Sequence, residues 1–83
     1  MPLIALVSGV RIEIYYGDHP PPHIHARFDG QLAQIEIRNA NLMRGSLPKP
    51  KLRDVLVWAA KREEKPLSAW YACSVGEKPE RVL

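Results

Sequence analysis

The stretch His23-Ile24-His25-Ala26-Arg27-Phe28-Asp29-Gly30-Gln31-Leu32-Ala33-Gln34-Ile35-Glu36-Ile37 decides the fold class. Ile24, Ala26 and Phe28 alternate with His23, His25 and Arg27. Ala33, Ile35 and Ile37 alternate in the same way with Gln34, Glu36 and Arg38, so each half has the period of two of a half-buried strand. Between them stands Asp29-Gly30. This pair suits a two-residue type I′ turn, which needs positive φ at both central positions, and it predicts an antiparallel hairpin.

Upstream, Val10, Ile12, Ile14 and Tyr16 share one face while Arg11, Glu13 and Tyr15 share the other, which predicts another strand. Ile4 to Val7 reads as a shorter extended piece, with Ser8-Gly9 as a turn or bulge after it. The expected sheet therefore has three strands, or four with Ile4 to Val7 counted. Downstream, the Asn, Gly and Ser content of Asn39 to Ser46 reads as loop. Pro50 suits the first turn of a helix, where its missing N–H would be unpaired anyway. Leu52, Val55, Leu56, Ala59 and Ala60 then recur as one helical stripe, with Trp58 on its border and Arg53, Asp54, Lys61 and Lys65 across from it. Pro66 predicts a break near Lys65, followed by a second short helix through Leu67, Trp70, Tyr71 and Ser74 that Gly76 stops. Glu77 to Leu83 reads as an extended tail, with Val82 packing back on the body.

These elements predict the α+β class, a small antiparallel sheet followed by two C-terminal helices packed on one of its faces. The other face is expected to be bare and polar, carrying Arg11, Glu13, Tyr15, His23, His25, Arg27, Gln34, Glu36 and Arg38. With 83 residues and neither repeat nor linker, residues 1–83 are read as a single domain, too small for a large multi-step enzyme. A lone cysteine, Cys73, cannot form an internal disulfide and is expected to be a buried small hydrophobe. The segment Met1-Pro2-Leu3-Ile4 lacks the basic and long apolar regions of a secretory signal. Apolar runs such as Val55 to Ala60 fall far short of the roughly 20 residues that cross a bilayer. The expected compartment is the cytoplasm, with no membrane insertion.

Charge is placed unevenly. The formal net charge is +3, yet Arg38, Arg44, Lys49, Lys51 and Arg53 form a run without an acid, and the remaining seven basic residues are outnumbered by nine acidic ones. A basic segment on a nearly neutral body suits docking to an anionic partner, nucleic acid or an acidic protein surface, and equally a solvated loop that keeps the chain soluble.

All three histidines fall in Asp18-His19-Pro20-Pro21-Pro22-His23-Ile24-His25-Ala26. The prolines stiffen the loop before the strand. His23 and His25, two residues apart, point to the same side, toward solvent in this reading, with ring nitrogens close enough to share a divalent metal ion or a phosphate. Asp18, His19 and Glu13 are the nearest third ligands. A structural zinc site usually takes four nitrogen or sulfur ligands, so metal is one reading; the other is that the histidines and Asp18 serve hydrogen bonds that pin the turn. His-hydrophobe-His followed by Tyr71 on a helix is also similar to nucleases in which two histidines hold a divalent ion and a tyrosine attacks a phosphodiester.

A wider pattern runs from Gly9 through Ile12, Tyr15, Asp18, His19, Pro21, Pro22, His23, His25 and Ala26, then Gly45, Leu47 and Pro48, then Trp58 and Leu67 to Trp70. It resembles the small bacterial family known as domain of unknown function 4160, over nearly the whole chain, with Pro66 a departure inside what is a longer helix in the family. The resemblance implies a member of a small two-gene cassette, a setting that has attracted labels such as transcriptional regulator or toxin–antitoxin partner. It implies no activity. The leading expectation is a non-catalytic regulatory or interaction module that binds nucleic acid or the small protein of the adjacent gene, with Arg38, Arg44, Lys49, Lys51 and Arg53 at the contact. The alternative is a metal-dependent phosphodiesterase using His23 and His25 as ligands, Glu13 or His19 to complete the set, and Tyr71 as nucleophile. A second copy pairing along an exposed edge strand is a further expected partner.

Overall fold

The computed structural model describes residues 3–80, so the packing expected of Val82 lies outside the described residues. Five strands, β1 (Leu3–Val7), β2 (Val10–Glu13), β3 (His23–Phe28), β4 (Gln31–Glu36) and β5 (Asn41–Gly45), precede two helices, α1 (Lys49–Lys61) and α2 (Glu64–Ser74). The strands pair in chain order, each antiparallel to the next. The turns explain that order. Phe28 pairs with Gln31 around Asp29 (φ 48°) and Gly30 (φ 78°), and Val7 pairs with Val10 around Ser8 (φ 51°) and Gly9 (φ 79°). Both are two-residue hairpins with positive φ at both central positions, whose twist matches that of the flanking strands.

The α+β class stands, and the strand count is corrected from three or four to five. The stretch read as loop, Asn39 to Ser46, contains β5, which pairs with β4 through Ala33↔Gly45 and Glu36↔Asn41. Its residues are all exposed, so no alternation of apolar and polar residues could announce it. Gly45 permits the pairing: its φ is +82°, and a Cβ there would run into the Leu32 carbonyl.

The core gathers the apolar face of the sheet. Ile4, Val10, Ile12, Ile14, Ile24, Ala26, Ala33 and Ile35 are completely buried, together with Val55 of α1, and Ala69, Trp70 and Cys73 of α2 join them. Full burial of one such isoleucine contributes about 1.5–3 kcal/mol relative to exposure. From the stripe expected on α1, Val55 and Ala59 are buried and Leu52, Leu56 and Trp58 pack partly against the core, but Ala60 is exposed. The helix break comes at Arg62 and Glu63, ahead of Lys65. Pro66 then sits in the first turn of α2, where its lack of an N–H costs no helical hydrogen bond. At the other end Gly76 (φ 78°) closes α2, with Gly76 N–H donating to Cys73 O at 3.1 Å and Glu77 N–H to Ala72 O at 2.8 Å, the paired bonds of a Schellman motif. Among the described residues no helix is long and apolar enough to cross a membrane.

Candidate functional site

Alternation along β3 sends His23 and His25 to the side opposite Ile24 and Ala26, and β2 aligns Glu13 directly across from His25. Residues 14–22 then fold back over this side. The loop carries a cis peptide between Pro20 and Pro21 and brings Asp18 to both rings. The His25 Nε2 atom lies 2.8 Å and the His23 Nε2 atom 3.0 Å from the same carboxylate oxygen, Oδ2 of Asp18. The other oxygen, Oδ1, accepts the His19 backbone N–H at 2.8 Å.

The two rings lie beside each other, with centroids 5.0 Å apart, as the sequence suggested, but they do not project into solvent. His23 is 5% exposed and His25 4%, and Glu13 on the same side is 2% exposed. This corrects the expectation of a bare polar face. Tyr15 stacks on His25 with centroids 3.8 Å apart and planes 8° from parallel, and Trp70 of α2 stands 5.1 Å from His23. The expectation missed both aromatic walls: it places Trp70 only on a second short helix and Tyr15 only toward solvent. The shared parity of Glu13 and Tyr15 on β2 and its continuation was the available signal for Tyr15. Nothing local to α2 announced that Trp70 would reach a strand residue 47 positions earlier.

Among the described residues each buried side-chain nitrogen or oxygen has a partner, with one exception. The Pro21 carbonyl can only accept, so His23 donates to it from Nδ1, at 2.8 Å. In the neutral ring that leaves the Nε2 lone pair facing Asp18. His25 Nδ1 is buried without a hydrogen-bond partner. Burial pushes the Asp18 carboxyl up, but the hydrogen bonds from His25 and from the His19 backbone, together with the charges of the two rings, outweigh it and hold the group below the usual carboxylate range. Glu13 is engaged elsewhere: the Arg11 Nε atom is 3.2 Å and the Arg27 Nε atom 3.4 Å from its two oxygens. Arg27 also donates from Nη2 to the Tyr15 hydroxyl at 2.8 Å, and that bond is the main cause raising its guanidinium above the ordinary value.

The sequence-selected residues therefore separate. Asp18, His23 and His25 offer three ligand atoms within 4.8 Å of one another and could hold a metal ion. Glu13 is turned to the arginines, and the His19 side chain is exposed, with no side-chain partner among the described residues. Tyr71 is 51% exposed and its hydroxyl accepts from Arg38 Nη2 at 3.1 Å. The basic run separates too. Arg44 lies on exposed β5, and Lys49 and Arg53 are exposed on α1, while Lys51 is half-buried, donates to Ser8 O at 2.7 Å and sits 5.0 Å from the Phe28 ring centroid.

Comparison with known proteins adds the family. The profile of the domain of unknown function DUF4160 matches residues 9–71, which include every residue of this cluster and the whole basic run, and the chain belongs to that family. No curated protein and no solved structure matches it.

Proposed function

We propose that this DUF4160 chain is a non-catalytic interaction module that docks on the phosphate backbone of nucleic acid through Arg44, Lys49 and Arg53, with Arg38 and Lys51 as supporting charges. The observation that carries this reading is the start of α1. Lys49 and Lys51 stand in its first turn with no acid there and no side-chain cap on its free N–H groups. A helix N-terminus is itself positive, so cations there repel it, and the arrangement is unfavourable for the isolated helix by a few tenths of a kcal/mol to about 1 kcal/mol. An anion relieves that cost. Among the described residues none of the five cations forms a carboxylate ion pair, whereas Arg11 and Arg27 are both drawn to Glu13.

The burial of the histidine cluster supports the non-catalytic part of the reading, since its rings lie behind Tyr15 and Trp70. Fluorescence anisotropy on labelled duplex DNA and RNA of mixed sequence tests the proposal. With three phosphates neutralised, the logarithm of the association constant should fall against that of salt with a slope of about −2 to −3, and neutralising Arg44, Lys49 and Arg53 together should flatten it. Absence of salt-sensitive association with either polymer would refute it.

A second reading has its own support. β5 is an exposed edge strand, with Leu42 43% and Met43 41% exposed, and suits strand addition by a protein: the adjacent gene's product or a second copy of this chain. Co-purification with the adjacent gene's product and light scattering of the isolated chain distinguish these partners.

A further inference from the structure

Two acceptor atoms face each other at Asp18. In neutral His23 the proton is on Nδ1, fixed by the Pro21 carbonyl, and its Nε2 lone pair stands 3.0 Å from a carboxylate oxygen. Two acceptors at that distance require a positive centre between or beside them. A second ring proton is one solution, and a metal ion is the other. His25 Nε2 faces the same oxygen at 2.8 Å. Ligands of a tetrahedral zinc, with bonds of about 2.0–2.2 Å, stand about 3.3 Å apart, so the two contacts to Asp18 would open by a few tenths of an ångström while the widest separation in the cluster, within 4.8 Å, would close around the ion.

The surroundings have the features of a metal site. The bond from Nδ1 to a backbone carbonyl is the outer-shell contact that fixes the tautomer of a ligating imidazole. Tyr15 and Trp70 supply apolar walls. The Asp18 side chain is 20% exposed against 5–6% for the two imidazoles, which gives an ion a route in and leaves the carboxylate side for a water as fourth ligand. Two imidazoles and one carboxylate select a zinc-like ion over magnesium or calcium, which take mainly oxygen.

We propose that Asp18, His23 and His25 bind one divalent first-row transition metal ion through the two Nε2 atoms and the Asp18 carboxylate. The ion acts as a structural clasp, tying the loop of residues 14–22 to β3. The proposal rests on none of the cations assigned to the nucleic-acid surface.

Zinc chloride is titrated calorimetrically into tag-free, EDTA-stripped protein, and cobalt chloride is followed by its visible absorption. The expected result is one ion per chain, with the ring resonances of His23 and His25 moving on zinc addition while those of His19 stay. Asp18→Asn should weaken binding by on the order of tenfold or more, and His19→Ala should leave it unchanged. If Asp18→Asn does not fold, the ring resonances of the unaltered chain decide. Unmoved His23 and His25 signals at millimolar zinc, or binding that His19→Ala abolishes, would overturn the clasp.

Discussion

Replacing Asp18 with Ala removes the carboxylate oxygen that both buried imidazoles face, and the cost follows from what is left behind. His23 and His25 are almost fully enclosed, so the His25 Nε2–H loses its acceptor in a place water enters poorly, while the His23 Nε2 lone pair loses no hydrogen bond. A buried polar group left without a partner costs about 1–3 kcal/mol. Because the Asp18 side chain is 20% exposed, water replaces part of the lost interaction, and about 1–2 kcal/mol is the expected total. An 83-residue domain has only about 4–12 kcal/mol of stability altogether. The assay is urea unfolding followed by tryptophan fluorescence, in EDTA so that no metal contributes. With a slope of about 1 kcal/mol per molar urea for so small a domain, the midpoint should fall by about 1–2 M. His19→Ala is the internal control: its side chain is exposed and has no partner among the described residues, and the change should stay within about 0.5 kcal/mol. Equal midpoints for the two variants would refute the claim that Asp18 organises the buried rings.

Two other changes probe different parts of the fold. Gly45→Ala places a Cβ against the Leu32 carbonyl at a φ of +82° and should cost about 2 kcal/mol or more. The Ser46 amide, which donates to Leu32 O at 3.1 Å, should lose hydrogen-exchange protection, and unchanged protection would count against the role given to this glycine. For Cys73, burial pushes the thiol up, so above the ordinary thiol value of about 8.5 the unfolded chain gives up a proton that the native one keeps. Native stability should therefore decline as pH rises past that point. Cys73→Ala should remove this component of the decline, so an identical pH profile in that variant would contradict it.

Local chemistry made much of this chain legible. Asp29-Gly30 specified its hairpin because both residues tolerate positive φ, the alternation along β2, β3 and β4 named most of the core, and Pro50 and Gly76 marked helix ends by the hydrogen bonds they can and cannot make. The family pattern was legible as well, and residues 9–71 carry it. Even the pairing of His23 with His25 followed from strand parity.

Tertiary structure decided what alternation cannot express. A period of two separates two sides of a strand without saying what covers either. Glu13, His23 and His25 are polar by sequence and buried by location, because residues 14–22 and Trp70 close over them and Asp18, Arg11 and Arg27 supply compensating charge. The strand β5 is likewise a product of context: its exposed residues have no inside to declare, and it forms because β4 offers an unpaired edge and Gly45 can lie against Leu32. Hydrogen-bonding capacity belongs to a residue, but desolvation belongs to its surroundings, and the choice of Asp18 over Glu13 or His19 as the centre of the cluster was made there.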